Sequence, residues 1–217
     1  MSSSASPPRP WLSNLPGTWK VKKIKHVVQF VGGGTPSKAN DEFWGGDIPW
    51  VSPKDVKSFR ITDTQDHITE AALRSSPCSL IPAGSVLVVV RSGILQHTIP
   101  VAINDVPVCL NQDMRALIPS PEVCVEYLAY VIKGVQDRLL EDWVKDGATV
   151  ESIEHDRMAD TPIPVPPIQV QSRIARYLNE ETARIDALLS EKRKLEERLV
   201  ELRSAIVSEA VLGQAHV

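Results

Sequence analysis

The sequence predicts an α+β protein in which a mixed-sheet domain is followed by one long C-terminal coiled-coil helix. Short β-branched runs between glycine and proline breaks fill much of residues 16–167, a pattern typical of strands and turns. The segment VEYLAYVIKGVQDRLLEDWV, at 125–144, has apolar residues at helical spacing. After Pro167 no proline or glycine occurs until Gly213, so residues 168–217 are predicted to be a separate helical segment.

The N-terminal elements follow from the positions of glycine and proline. Residues 1–15 show no apolar periodicity and are predicted to be a disordered leader. Residues 15–41 are typical of a short strand or amphipathic segment that ends in a turn at residues 32–34, where three successive glycines occur. FWGGDIPWVSPKDV, at 43–56, then contains two more breaks with three aromatic residues between them.

The centre of the domain is predicted to be rich in strands. GSVLVVVRSG, at 84–93, is the clearest strand, and its unbroken apolar run predicts burial on both faces. TIPVAI at 98–103 and CLNQDMRALIP at 109–119 are further predicted strands, separated by a turn at Asn104-Asp105. The sequence contains no internal repeat, which indicates a single domain of this kind.

Residues 168–217 carry a heptad repeat typical of a coiled-coil seam. Lys192 interrupts one apolar series and Glu181 interrupts the other. From Ser172 the helix would span about 37 residues, roughly 55 Å, which is longer than a small domain is wide, so we expect it to need a partner. The alternative is an amphipathic helix packed on its own domain. The predicted seam residues are Ile174, Leu178, Ile185, Leu188, Leu195, Leu199, Leu202 and Ile206.

Composition excludes several classes of protein. The net charge of −3 is not that of a nonspecific nucleic-acid coat, yet the first 25 residues contain no acidic side chain. Because a few basic loops suffice to bind phosphates, overall charge neither supports nor excludes DNA binding. No apolar run of about 18 residues exists to span a membrane. Cys78, Cys109 and Cys124 form no CxxC pair and are predicted to be buried thiols in a reducing cytoplasm.

Motifs for catalysis are missing from the sequence. It contains no GxGxxG or GxxxxGK[ST] loop, no HExxH, no GxSxG and no Asn/Asp-Pro-Pro-aromatic motif of adenine methylation. Asp47, Asp55 and Lys57 superficially resemble the acidic-plus-lysine arrangement of a magnesium-dependent nuclease. Pro49 and Pro53 fall between them, and a solvated loop is the better interpretation. We therefore predict a binding protein and not an enzyme.

Six stretches of the chain, in this order, together resemble the DNA-specificity subunit of type I restriction-modification systems. The opening of that family's target-recognition domain, its central strands, its late turn and the junction into its conserved helix each have a counterpart. Val170 stands where that family usually has a glutamate. The similar stretches are GTPS at 34–37, WGGDIPWV at 44–51, VRSGIL at 90–95 with HTIPVA at 97–102, LNQD at 110–113, GATVESI at 147–153, and IPVPP at 163–167 followed by Gln171 and Ile174-Ala175.

This resemblance implies a division of labour between subunits. Residues 16–167 would be a target-recognition domain that binds a half-site of double-stranded DNA, and residues 168–217 a helix for dimerisation and methyltransferase docking. The chain itself would hold no cofactor and no metal. Two methyltransferase subunits that bind S-adenosylmethionine would methylate adenine at N6, and a restriction subunit using ATP and magnesium would join them in the prokaryotic cytoplasm.

The single domain and single helix are a departure from that family, whose usual member has two of each. A lone heptad helix would most simply pair with that of a second copy, and antiparallel pairing would place the two domains at opposite ends. Because an isologous dimer recognises an inverted repeat, the hypothesis is a homodimer bound to a bipartite palindrome. The alternatives are a coiled-coil adaptor or an orphan recognition module without catalytic partners.

The loops supply the candidate DNA-binding residues, since base edges and phosphates are contacted by basic and polar side chains. Arg91 and His97 lie in the family-like motif and are expected to hold the scaffold or phosphates, whereas specificity is expected in residues 54–65. Trp44 and Trp50 are predicted to be core aromatics. The candidates are Ser37, Lys38, Lys54, Lys57, Arg60, Arg91, Ser92, His97, Asn111, Gln112 and Arg115.

Overall fold

The computed structural model describes residues 9–145 and 150–213. Its elements confirm the predicted fold class, because mixed sheets precede one long C-terminal helix. The strands are Lys20–Lys23 (β1), Val28–Gly32 (β2), Trp44–Val51 (β3), Arg60–Ile61 (β4), Asp66–Ile68 (β5), Val86–Val89 (β6), Val101–Asn104 (β7), Cys109–Leu110 (β8), Met114–Pro119 (β9) and Pro162–Val165 (β10). The α-helices are Glu70–Ser75 (α1), Val125–Gly134 (α2), Gln136–Trp143 (α3), His155–Asp160 (α4) and Ile168–Val211 (α5).

Two compact units make up the chain, Met1–Arg173 and Ile174–Val217. The first contains every strand of the described residues, and the second contains most of α5. Over residues 9–145 and 150–213, no helix combines the length and the apolar character needed to cross a bilayer.

A five-stranded sheet forms the centre of the first unit, in the order β2-β9-β6-β7-β4. Its neighbours are antiparallel except β4 and β7, which run parallel. Along β6, Val86 and Val88 pack into one core, whereas Leu87 and Val89 pack into another on the opposite face. The predicted burial of this strand on both faces is confirmed, and β6 is the element on which both cores depend.

Helices close the core on the Val86 face. Leu128 and Ile132 of α2 and Trp143 of α3 are fully buried there. The indole Nε1 of Trp143 donates to Thr161 Oγ1 at 2.7 Å, which satisfies a polar group that burial would otherwise leave without a partner. The buried indole of the helical layer is therefore paired.

A three-stranded sheet, in the order β5-β3-β8, covers the other face. β3 pairs antiparallel with β5 and parallel with β8, where Val51 lies opposite Leu110. Val51 and Leu110 enter the core on the Leu87 face, and Trp50 enters a smaller third core with Ile68. The pairing of β3 with β8 consequently joins the loops that follow both strands at one edge.

The segment 125–144, whose apolar spacing predicts helix, forms two helices, α2 and α3. α2 ends at Gly134, a residue of low helix propensity, and Val135 leaves helical geometry with φ −121° and ψ 18°. The side chain of Gln136 accepts hydrogen bonds from Thr98 Oγ1 at 2.7 Å and from the backbone N–H of Ile99 at 3.4 Å. The break thus lets α3 contact the loop that precedes β7.

The predicted disordered leader of residues 1–15 is too long at its C-terminal end. Pro10–Leu12 form a 3-10 turn, Trp11 packs against the larger core, and Arg9 contacts Asp142 at 2.6 Å. Burial of the Trp11 side chain and the half-buried ion pair of Arg9 order these residues. Neither contact can be predicted from the local sequence. Residues 1–8 lie outside the described part.

A buried glutamine anchors the first turn of α5 to the domain. Gln171 is fully buried, and its Oε1 accepts from the backbone N–H of Cys124 at 2.9 Å. Its Nε2 donates to the carbonyls of Glu122 at 2.9 Å and Pro166 at 2.8 Å. One amide therefore joins the start of α2, the loop before it and the end of the proline segment.

The second unit is a single exposed helix. α5 spans 44 residues, which at 1.5 Å per residue gives a length of about 66 Å, and it begins directly after Pro167. The predicted seam residues from Ile185 to Ile206 are half exposed or more, and an exposed apolar stripe of this kind fits a coiled-coil helix. The apolar residues exposed in this unit are Tyr177, Ile185, Leu188, Leu189, Leu195, Leu199, Val200, Leu202, Ile206, Val207, Val211 and Leu212.

Replacing Gln171 with leucine is expected to destabilise the first unit by about 2–5 kcal/mol, because three buried backbone groups lose their partner. Urea denaturation of the full chain, followed by tryptophan fluorescence, measures the change. Gln169→Leu, at an exposed position two residues earlier, is the matched control and should stay within about 0.5 kcal/mol of the natural sequence. Equal losses for the two variants would contradict the anchoring role.

Candidate DNA-binding surface

One end of the five-stranded sheet gathers most of the predicted DNA-binding residues. The register places Val89 of β6 opposite Met114 of β9, and Gly32 of β2 opposite Arg115. The C-terminal ends of β2 and β6 and the N-terminal ends of β7 and β9 therefore coincide. The predicted residues that these strand ends and their loops carry are Arg91, Ser92, His97, Asn111, Gln112 and Arg115.

A close approach of two backbones brings the glycine loop to this end. A Cβ on Gly33 would lie 1.9 Å from the carbonyl oxygen of Asn111, so only glycine fits at this position. The N–H of Gly34 donates to Leu110 O at 2.8 Å, and Thr35 Oγ1 donates to Gln112 Oε1. These bonds hold the loop that carries Ser37 and Lys38 beside Gln112.

The turn after β3 lies at the same edge, since β3 and β8 run parallel and the N–H of Asn111 donates to Val51 O at 2.9 Å. In this turn Asp55 Oδ2 accepts from the backbone N–H of Ser52 at 2.9 Å and from its hydroxyl at 2.7 Å. Asp55 Oδ1 accepts from the N–H of Gln65 at 3.2 Å. Both carboxylate oxygens thus shape loops, which supports the loop interpretation of Asp55 over a magnesium ligand.

Three of the predicted basic residues present charges that are free of acidic partners. Lys38, Lys57 and Arg91 are exposed, and within the described residues no carboxylate forms an ion pair with any of them. Lys54 differs, because its Nζ donates to Asp66 Oδ2 at 2.7 Å and this hydrogen bond raises the pKa of Lys54. The unpaired cations are the groups best able to contact phosphates without first losing a partner.

Arg60 lies at the opposite end of the sheet. It is opposite Ile103, near the C-terminal end of β7, and its guanidinium contacts Asp105 at 2.5 Å and Glu126 at 2.7 Å. Partial burial opposes the charge of Arg60, but the two carboxylate hydrogen bonds raise its pKa. Since it joins the turn after β7 to the first turn of α2, Arg60 has a structural role in this arrangement and is separate from the other candidates.

Asn111 and Ser92 hold the loops rather than project from them. Asn111 is buried, and its Oδ1 accepts from the N–H of Asp113 at 3.0 Å. Ser92 caps the 3-10 turn Gly93–Gln96, accepting from the N–H of Ile94 at 3.4 Å. His97 follows at the end of that turn and is exposed. The two capping side chains position Arg91, His97 and Gln112.

One neighbour of the predicted set was missed. Arg115 Nη1 lies 3.3 Å from Nδ1 of His155, and the His155 ring packs edge-on against Phe30 with centroids 4.9 Å apart. The Nε of Arg115 is buried without a hydrogen-bond partner among the described residues. His155 comes from α4, 40 residues along the chain, and no local pattern in the sequence indicates this contact.

The two tryptophans of the WGGDIPW stretch pack edge to face with centroids 5.3 Å apart. Trp50 is 5% exposed and its Nε1 donates to Gly34 O at 3.0 Å, which makes it a core residue. Trp44 is half-buried and donates to Ser37 O at 3.2 Å. The two indole N–H groups therefore hold the loop 34–37 by hydrogen bonds to its first and last carbonyls. They also line a shallow depression with Lys38, Asp41, Gly45 and Asp66.

The three thiols of this unit are buried or half-buried. Burial raises the pKa of the Cys109 thiol to about 12, so that this sulfur stays protonated at neutral pH. Cys78 is buried as well, and Cys124 is half-buried. In residues 9–145 and 150–213, no group of three His, Cys, Asp or Glu side chains converges on a common point.

Comparison with known protein families defines the class to which this chain belongs, the DNA specificity domains of restriction systems. The family profile "Type I restriction modification DNA specificity domain" matches residues 16–197. The match spans most of the sequence, and the chain belongs to this family.

Two curated relatives are named as subunits of this kind. The chain is 41% identical over 170 residues to the EcoR124I/EcoR124II type I restriction enzyme specificity subunit of Escherichia coli. It is 34% identical over 194 residues to the MjaIX type I restriction enzyme specificity subunit of Methanocaldococcus jannaschii. These alignments cover 78% and 87% of this chain, but only 42% of each relative. The chain thus spans less than half the length of the curated relatives it matches.

Solved structures share the fold. The HsdS subunit from Thermoanaerobacter tengcongensis superposes with a TM-score of 0.68 at 22% identity, over 94% of this chain and 47% of that one. A chain from a structure of the assembly and conformational transition of a type I R-M system gives a TM-score of 0.76 at 22% identity, over 94% and 48%. The fold is therefore that of about half of each of these longer chains.

Gly33→Ala is expected to destabilise the first unit by about 1–3 kcal/mol, because the new methyl group must displace the Asn111 backbone. Gly32→Ala is the matched control, since nothing lies within 4 Å of a Cβ there and φ is not positive. Removing a glycine under these conditions is neutral or stabilises by about 0.4–1 kcal/mol. Urea titrations of both variants measure the difference, and a Gly33 variant as stable as the Gly32 variant would contradict the close approach.

Lys57→Ala is expected to reduce the salt dependence of DNA binding by about one unit of log K against log salt, as loss of one phosphate contact requires. Arg60→Ala should leave that slope unchanged and lower stability by about 1 kcal/mol through its ion pairs. Fluorescence anisotropy with a labelled random-sequence duplex at several salt concentrations gives the slopes. If Arg60→Ala lowered the slope as much as Lys57→Ala, Arg60 would belong to the binding surface.

Proposed function

We propose that this chain is a sequence-specific DNA-binding subunit that directs the methyltransferase and restriction subunits of a type I system to their target. Membership of the DNA specificity family supports the proposal, as do relatives that are themselves named specificity subunits. In this function the chain binds double-stranded DNA and leaves adenine methylation and cleavage to its partners. S-adenosylmethionine, ATP and magnesium belong to those partners.

The recognition surface is the loop edge described above. Lys38, Lys57 and Arg91 contact phosphates and set the orientation of the domain, because their charges are exposed and unpaired. Gln112 and the polar side chains of residues 54–65 other than Lys57 and Arg60 contact base edges, since they are presented by turns whose backbones are held by Gly33 and Asp55. A rigid base that holds polar side chains in defined positions suits sequence recognition.

Homodimerisation through α5 completes the proposed assembly. The observation that carries it is the half-exposed seam from Ile185 to Ile206, a heptad stripe that nothing in the described chain covers. A second copy provides the simplest matching seam, and twofold symmetry then presents two identical recognition domains. The target of such a dimer is an inverted repeat whose half-sites are separated by a fixed spacer.

Methylome sequencing of a strain that expresses this chain with its methyltransferase tests the proposal. We expect N6-methyladenine in one bipartite motif whose two halves are inverted repeats. A strain with the methyltransferase alone is the control and should lack the motif. An asymmetric motif would contradict the homodimer, whereas the absence of any motif dependent on the chain would contradict the specificity function and favour an orphan recognition module.

A further inference from the structure

The seam of α5 has two charged positions among its apolar residues. Lys192 occupies an a position and Glu181 a d position of the heptads. Lys192 is exposed, and within the described residues no carboxylate pairs with it. Glu181 has only Arg184, one turn away at 3.9 Å, which is the outer limit of an ion pair. Both charges are therefore available to a partner helix.

We propose that Lys192 and Glu181 specify the orientation and the register of an antiparallel homodimer, in which Lys192 of each chain faces the partner subunit's Glu181. The inference rests on the homodimer of the proposed function, and it adds which residues select one pairing among many. The occupant of the seam is a second copy of this chain.

In an antiparallel coiled coil, one known contact between the two helices defines the partner of every other seam residue. In an antiparallel pair, a residue at an a position packs beside a d residue of the other helix. Placing Lys192 beside the partner subunit's Glu181 fixes all other layers, with the twofold axis between Asp186 and Ala187. The apolar layers that result, each occurring twice, are Ile185 with the partner's Leu188, Leu178 with the partner's Leu195, and Ile174 with the partner's Leu199. Leu202 and Ile206 lie beyond these layers, at the level of the partner's Gln171 and the partner's Pro167.

Charges beside the seam favour the same register. Residues at g positions of antiparallel helices approach each other across the interface, and here Arg184 approaches the partner subunit's Glu191 on both sides of the axis. Opposite charges at such positions set the choice and orientation of the partner. The seam residues and the g residues beside the seam consequently favour the same alignment of the two helices.

Shifting one helix by a heptad removes the pairing of Lys192 with the partner's Glu181 and that of Arg184 with the partner's Glu191. In one direction Lys192 faces the partner's Leu188, and Arg184 approaches the partner's Arg198. In the other direction Lys192 faces the partner's Ile174, and Arg184 approaches the partner's Arg184. Each shift therefore buries unpaired charges against aliphatic side chains and adds like-charge repulsion, both of which oppose association.

Parallel pairing in register is disfavoured for a related reason. Equivalent positions then face each other, so Lys192 meets the partner's Lys192 and Glu181 meets the partner's Glu181 in the seam. Two like-charged layers at seam positions repel each other in a partly desolvated environment. A seam with one basic and one acidic interruption thus selects the antiparallel arrangement on electrostatic grounds alone.

Charge reversal tests the proposal in the full-length chain by sedimentation equilibrium at low ionic strength. Lys192→Glu and Glu181→Lys alone are each expected to raise the dimer dissociation constant about tenfold or more, because each homodimer then contains two like-charged layers. The double variant, and an equimolar mixture of the two single variants, should restore association. Native mass spectrometry of the mixture should show the heterodimer as the main species.

Lys194→Glu and Glu180→Lys are the matched controls, since they make the same charge changes on exposed positions outside the seam. Neither should alter association by more than about twofold. Circular dichroism at high concentration checks that every variant keeps its helix. A natural chain that dimerises while the seam reversals behave like these controls, or while the mixture yields no excess of heterodimer, overturns the register and leaves the proposed function standing. A natural chain that stays monomeric overturns the register and the homodimer together, and leaves the specificity function to the methylome test.

Discussion

The buried amide of Gln171 is the interaction on which the two-part construction of this chain depends. A side chain that makes three hydrogen bonds in a fully buried position has one stable orientation, because every alternative leaves a polar group without a partner. It ties the first turn of α5 to Glu122, Cys124 and Pro166, and so the helix begins at a defined place in the recognition unit. Without such an anchor, a helix with so little apolar surface would have no fixed origin.

Much of the fold could be predicted from local patterns, and the exceptions share one cause. The unbroken valine run of β6 indicated a strand buried on both faces, and the proline segment before α5 indicated where the long helix begins. Residues 9–12 belong to the predicted disordered leader but are ordered in the structure. The contact that orders Arg9 comes from Asp142, 133 residues away, and leaves no local signal in the sequence. The helix break at Val135 likewise depends on Gln136 contacting the loop at Thr98. Contacts between distant segments leave no periodic signal in the sequence.

The candidate DNA-binding residues show the same difference between local sequence motifs and contacts with distant segments. Arg91, Ser92, His97, Asn111 and Gln112 were chosen from loop motifs, and the register of the sheet brings them to one edge. Arg60 was chosen because it is basic and lies in a loop-like segment, yet two distant carboxylates engage it at the other end of the sheet. Charge and loop position are thus sufficient to nominate a residue, but its partners decide whether its charge is free to bind. His155 is the opposite case, because no motif in the sequence nominates it, yet α4 places it 3.3 Å from Arg115.

The exposure of α5 has a consequence for the life of the chain in a cell. Most helices in proteins are stabilised by packing against neighbouring elements, and α5 has little such packing. Local opening of this helix therefore costs little free energy. Proteases cleave segments that open in this way, at rates that follow the population of the open form. If a second copy covers the apolar stripe as proposed, the open form of α5 becomes rarer and cleavage along the helix becomes slower.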